Sequence, residues 1–211
     1  MNIQLEKLRK EDIKLRANEF CSKYNPNKEI PVPIELIIES KLNIDIVPLA
    51  DLKGSLDNDG FIAGDFSTIY LDQDVYWNVE TRYRFSLAHE IGHYWLHESI
   101  FKSLKFRTID EWKNVYLSID DKDYNWLEFQ ANMFAGFILI PDYALEPKFT
   151  DLLEKERTTI QTGKNIDQPR DTYLDYVVSY LARKLASFFN VSAKCMQTRI
   201  RKDDIYISLI P

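Results

Sequence analysis

The chain has 211 residues and a mass of 24.9 kDa, the size of one ordinary domain with room for a small appendage. Apolar residues make up 45% and charged residues 28%, so the chain can build a core and wholesale disorder is excluded. The net charge is −6, yet residues 176–202 contain six basic groups (Arg183, Lys184, Lys194, Arg199, Arg201 and Lys202) and no acid, which leaves −12 on the remainder. An acidic body with a basic C-terminal segment suggests two functional surfaces.

Only two cysteines occur, Cys21 and Cys195. They exclude a disulfide scaffold and a cysteine-based zinc ribbon, and they point to a reducing cytoplasm. The longest apolar run, residues 133–140, is too short to span a bilayer, and no membrane role is expected. The first ten residues lack the apolar stretch of a signal peptide.

In chain order, residues 3–20 read as an amphipathic helix on Ile3, Leu5, Leu8, Ile13 and Leu15, broken by Asn25-Pro26-Asn27. Residues 34–42 read as a second helix after Pro31 and Pro33. Three short strands follow at 44–49, 60–66 and 68–72, with Asp57-Asn58-Asp59-Gly60 as a turn before the second. Long helices are expected over 81–98 and over 126–140, the latter stopped by Pro141. The polar stretch 155–171, with Gly163 and Pro169, reads as a mobile loop near the mouth of the cleft. Helix returns over 173–189.

The sharpest chemical signal is His89-Glu90-Ile91-Gly92-His93. Positions i and i+4 share a helix face, so two imidazoles can grip one metal ion. Glu90, one step round the helix, is placed to act on a water molecule without ligating the metal. The flanking Phe85, Leu87, Ala88, Ile91, Trp95 and Leu96 leave little polar surface. A glutamate and two histidines buried there need a partner, and a metal supplies one. His97 is too far along the helix to join them: eight residues span roughly 12 Å. Its expected place is at the helix end or hydrogen-bonded behind a ligand. The metzincin extension is also absent, because Leu96 and Ser99 stand where it needs glycine and histidine.

A third ligand must come from downstream. Glu128, on a helix with small residues Ala131, Ala135 and Gly136 that permit close approach, is the best placed. Asn132, four residues on, can hydrogen-bond behind a ligand. Spacing alone leaves open that Glu128 is a solvated glutamate near a helix N-terminus, and makes Glu98 and Glu111 rivals, although Glu98 is too near His93 along the same helix.

The run from Phe85 to His97, the run Glu128-Phe129-Gln130-Ala131-Asn132-Met133-Phe134-Ala135 followed by Ile138-Leu139-Ile140-Pro141, and the strand Ile69-Tyr70-Leu71-Asp72 resemble the ImmA/IrrE family of metallopeptidases. The resemblance covers residues 31–141. It implies an α+β, zincin-like metallopeptidase with a small twisted sheet packed on helices. It also implies one zinc per chain held by His89, His93 and Glu128, with Glu90 as catalytic base. The implied substrate is a protein, a transcriptional repressor of a mobile element or stress regulon, cut at one specific site. Many members carry an N-terminal DNA-binding module of the repressor type, which the short helical stretch ahead of residue 31 does not match.

The organisation expected is therefore an N-terminal helical segment (1–30), a zincin-like core (31–154), the polar loop (155–171) and a C-terminal helical segment (172–211). Within the last, residues 181–201 resemble a helix-turn-helix with an N-cap at Ser192, whose charge suits DNA contact. The plainer alternative is a helical appendage packed on the peptidase. No oxyanion-stabilising residue is assigned; Tyr94, His97 and Tyr143 are candidates. Substrate selectivity is expected from strand pairing along 60–66 and from the basic segment. The rival function is a non-catalytic protein with a structural or vestigial metal site, acting on DNA or an antitoxin-like partner. An intact Glu90 argues against it, since a structural site closes its fourth position and needs no base.

Overall fold

The computed structural model describes residues 5–52, 59–104, 106, 108–162 and 169–210. The fold is α+β, a three-stranded sheet set among helices. Strand β3 (Thr68–Asp72) is central. On one side β1 (Asp45–Leu49) runs parallel to it, with Ile46 opposite Ile69. On the other, β2 (Gly60–Ile62) is antiparallel, with Gly60 opposite Leu71 and Ile62 opposite Ile69. The second strand is thus shorter than the expected 60–66, and it is an edge. A Cβ at Gly60 would lie 2.5 Å from the Leu71 side chain and 2.6 Å from the Tyr70 carbonyl, so only glycine lets β2 approach β3 this closely.

Helix α1 (Lys10–Tyr24) starts later than the sequence pattern suggests. Its buried stripe is Ile13, Ala17, Phe20 and Cys21, at helical spacing. The Asp12 carboxylate accepts from the Arg9 backbone N–H at 3.2 Å and fixes the start. Leu5 and Leu8, counted as helical from sequence, lie in an irregular lead-in whose Glu6 carbonyl accepts from Gln130. Helix α2 (Ile34–Leu36) widens into a π-type helix, α3 (Ile37–Leu42), before β1.

After β3 come the short α4 (Gln73–Asn78) and the long α5 (Glu80–Leu96). The Asp72 side chain caps α4 by accepting from Asp74 N–H. Arg82 on α5 grips both Asp59 oxygens at 2.6 Å and pins the start of β2 to this helix. Two helices that sequence patterning missed follow: α6 (Glu98–Leu104) and α7 (Ile109–Ser118). The latter opens with a reciprocal cap in which Thr108 N–H donates to Glu111 and Glu111 N–H donates to the Thr108 hydroxyl.

Helix α8 (Asp121–Leu139) begins five residues before the expected 126, capped by the Asp120 side chain. It crosses α5 at Gly92, where a Cβ would sit 2.8 Å from the Ala131 Cα and 3.2 Å from its Cβ. The small-residue reading is therefore right for Ala131. Gly136 plays no such part, since a Cβ there would meet nothing within 4 Å.

Helix α9 (Asp142–Lys155) was hidden by Pro141 and by Pro147 within it; Leu145 and Phe149 form its buried edge. The expected loop at 155–171 is corrected in part: α10 (Arg157–Thr162) occupies its first half, held by buried Ile160. Residues 163–168 of that loop lie outside the described residues, as do Asp57 and Asn58 of the turn before β2.

Helix α11 (Arg170–Phe189) ends at Asn190 in the left-handed conformation. Ser192 caps α12 (Ala193–Arg201) by accepting from Cys195 N–H at 3.1 Å, as the sequence suggests. A last helix, α13 (Asp204–Leu209), closes the chain. Buried apolar residues from Leu8 to Ile210 form one continuous cluster, so the C-terminal helices share the core of the rest.

Candidate metal centre

The crossing of α5 and α8 at Gly92 and Ala131 puts His89 and His93 opposite Glu128. Their Nε2 atoms lie 3.1 Å apart. His89 Nε2 is 3.2 Å from Glu128 Oε2, and His93 Nε2 is 3.4 Å from Glu128 Oε1. One ligand atom from each residue lies within 4.8 Å of the others. Ligand atoms placed tetrahedrally at zinc distances stand about 3.3 Å apart, so the set fits a zinc-sized ion with one position left over.

The far side of each imidazole is engaged as well. His89 Nδ1–H donates to Asn132 Oδ1 at 3.1 Å, the role expected for Asn132. His93 Nδ1 is 3.1 Å from His97 Nδ1. With His93 as donor, its Nε2 keeps a lone pair for a metal, and His97 carries its own proton on Nε2. That nitrogen is buried beside the Gln130 side chain, whose amide donates to the Glu6 carbonyl at 3.0 Å. Burial, and then His93, push His97 well below the ordinary histidine value, so it stays neutral.

Burial works against charge on His89, but the hydrogen bond and attraction to Glu128 outweigh it and raise the imidazole to about 9. For Glu128, burial is likewise outweighed by hydrogen bonds from His89 and His93, which hold the carboxyl far below its usual range. Such a proton-sharing pair is what a metal displaces.

Glu90 is buried beside this cluster at 4% exposure. Its Oε2 accepts from the Ile62 backbone N–H at 2.8 Å. The edge strand β2 therefore aims the carboxylate, a long-range contact with no sequence signature. Burial raises the carboxyl above its ordinary value, while His89 and His93 pull it back. A carboxylate so raised takes up a proton more readily than an exposed glutamate.

The cleft over these residues is narrow, about 40 Å³, and Phe61, Trp112, Tyr116 and Tyr124 help to wall it. A family model for the IrrE N-terminal-like domain, Peptidase M78, matches residues 39–201. The chain belongs to this metallopeptidase family. No curated protein matches it. The matched span of this M78 chain holds His89, Glu90, His93 and Glu128, and it runs on through the C-terminal helices to the end of α12.

The spacing rivals of Glu128 are otherwise occupied. Glu98 pairs with Lys102 on the surface, and Glu111 caps α7. The oxyanion candidates lie away from the cleft. Tyr94 packs edge-on against Phe66. The Tyr143 hydroxyl accepts from Asn25 at the C-terminal end of α1. His97 sits behind His93. Of the phenols at the cleft, Tyr116 lies in α7, which the pattern missed, and Tyr124 lies in the first turn of α8, ahead of its expected start at 126. Burial, with Glu128 and Tyr116 alongside, pushes the Tyr124 phenol far above its ordinary value, so it remains a proton donor.

The basic segment is less free than its charge count suggests. Arg199 is buried, donating to the Ile140 carbonyl and pairing with Asp142 and Asp203, while Lys14 bridges the same two acids at 2.7 and 2.8 Å. Arg201 pairs with Asp175, and Lys184 with Glu156. Among the described residues, no helix is long and apolar enough to cross a membrane.

Proposed function

We propose that this chain is a zinc-dependent endopeptidase that makes one specific cut in a regulatory protein, a transcriptional repressor of a mobile element or stress regulon. The observation that carries the reading is the convergence of two imidazole nitrogens and a carboxylate beside a buried glutamate held by an edge strand. His89, His93 and Glu128 would hold one zinc, which supplies carbonyl polarisation and a more acidic water. Glu90 takes a proton from the attacking water and passes it to the leaving amine. Ile62 N–H keeps its carboxylate aimed between those two tasks. Tyr124, which walls the cleft beside Glu128 and Tyr116, is the residue we assign to donate to the oxyanion as the carbonyl becomes tetrahedral.

The narrow cleft favours an extended segment over a folded surface, and β2 offers that segment an edge to pair with. Both cysteines are free thiols, in keeping with a reducing cytoplasm. The buried Glu90 argues against a purely structural metal site, which gains nothing from a buried carboxylate held beside it by a strand N–H.

The test is a pull-down with Glu90→Gln, followed by mapping of the cut made by the wild-type chain in the captured protein. A single cut by the wild type and none by the variant is expected. Undiminished cleavage by Glu90→Gln would overturn the mechanism, and multi-site digestion of unrelated proteins would overturn the specificity.

A further inference from the structure

On the outer side of His89 lies a second hollow, about 370 Å³, far larger than the catalytic cleft. It is within the size range of ligand sites. Its walls are mostly apolar, Phe85, Phe129, Met133 and Phe137, and it lies between α8 and the length of α12 from Ser192 to Lys202. Three features bear on what it takes.

The first is position. Asn132 forms part of the wall and also accepts from His89 Nδ1, so only that amide and one imidazole ring separate the hollow from the metal-facing atoms. The second is its floor. Gly136 lines the hollow, and a Cβ there would meet nothing within 4 Å. Glycine in mid-helix is unfavourable, and here close packing gives no reason for it, whereas Gly92 on α5 is needed for contact. The space above Gly136 is the one thing that a larger residue would remove. The third is the rim. Lys194 and Lys202 are exposed there and have no acidic partner among the described residues, in contrast to Arg199, Arg201 and Lys184. Lys202 Nζ stands 5.7 Å from the centre of the Phe129 ring, over the mouth. The chain outside residues 176–202 carries −12, so this rim is where an acidic segment is attracted rather than repelled.

We propose that this hollow is a specificity subsite of the peptidase, taking a large apolar side chain next to the bond that is cut, with an acidic residue beside it held by Lys194 and Lys202. The inference rests on the peptidase reading above and adds the substrate's local chemistry to it: an aromatic or long aliphatic residue adjoining Asp or Glu, in an extended segment. Adjacency to the metal centre, across Asn132 and the His89 ring, favours the substrate itself over a separate effector.

A positional-scanning library of internally quenched peptides, given to the zinc-loaded full chain, is the experiment. The wild type should prefer Phe or Leu at one position beside the cut and Asp or Glu within two residues of it. Gly136→Leu should lower cleavage of the Phe-containing peptides about tenfold or more and leave Ala-containing ones nearly unchanged, the discrimination expected from filling an apolar pocket. Lys194→Glu with Lys202→Glu should exchange the acidic preference for a basic one. An unaltered profile in Gly136→Leu would overturn the subsite while leaving the peptidase reading intact; a wild type that cuts neither a peptide nor the protein captured by Glu90→Gln would count against that reading instead.

A second readout does not depend on cleavage. The blocked dipeptide N-acetyl-Phe-Asp-amide, titrated into isotope-labelled protein, should shift the backbone amide signals of Gly136 and Cys195 in the wild type and not in Gly136→Leu. Absence of that shift in the wild type would overturn the subsite. So would binding of the dipeptide together with an unchanged cleavage profile, which would mark the hollow as an effector site.

Discussion

At the scale of single residues, the site combines what local spacing reveals with what it conceals. His89 and His93 are legible because i and i+4 share a helix face, and Asn132 is legible as the residue one turn from Glu128. The choice of Glu128 over Glu98 and Glu111 is not, because it depends on which helices cross. Nor is the Ile62–Glu90 hydrogen bond, which joins residues 28 apart. Two outcomes are expected at this scale. Zinc needs a neutral imidazole, and in the metal-free site His89 is protonated below about 9. Zinc must therefore displace a proton at lower pH, and its affinity should climb by about tenfold per pH unit until pH 9 and level off above it. Competition with a chelator across that range is the check; a plateau beginning near the ordinary histidine value of about 6.5 would show that Glu128 does not hold the proton. Tyr124→Phe should keep zinc and fold yet lower kcat by about 10² or more, the usual loss for an oxyanion donor. Its KM should change little, and an unchanged kcat would remove Tyr124 from the reaction.

At the scale of elements, the long helices α5 and α8, the strand β3 and the Ser192-capped α12 follow from periodicity and caps. The helices α6, α7 and α9 do not. They are short or interrupted by proline, and their buried faces are set by tertiary contacts: Phe101 on α6 against His93 and His97, and Phe149 on α9 against Tyr206. The two glycines separate packing from propensity. Gly92→Ala brings a Cβ within 2.8 Å of the Ala131 backbone and should destabilise the chain by about 1–3 kcal/mol, with weaker zinc binding as α5 and α8 part. Gly136→Ala meets no neighbour and should stabilise it by about 0.5–1 kcal/mol. Chemical denaturation of the two variants checks both signs, and equal effects would mean that the helices do not cross where described.

At the scale of the whole molecule, the C-terminal helices complete the fold instead of standing apart from it. Their buried residues join the common core. Arg84 on α5 donates to the Val32 carbonyl at 2.7 Å and to the Asn190 carbonyl in the turn before α12 at 3.2 Å. The cluster of Arg199, Asp142, Asp203 and Lys14 ties α12 to α9 and α1. A charge count cannot separate a buried, paired arginine from a solvated one, which is why the basic segment looks more like a docking face in sequence than in space. Arg199→Ala removes the buried cation that pairs with both Asp142 and Asp203 and should cost about 3–5 kcal/mol. A melting temperature equal to that of the wild type would show that the cluster is not structural.

The claim on which all of this rests is that His89, His93 and Glu128 form one zinc site beside a glutamate that does not ligate. Zinc content by elemental analysis of the purified wild type, His89→Ala, His93→Ala and Glu90→Gln chains tests it most directly. One zinc per chain is expected in the wild type and in Glu90→Gln, and none in either histidine variant. Full zinc in both histidine variants would contradict the site, and loss of zinc from Glu90→Gln would make that residue a ligand rather than the base.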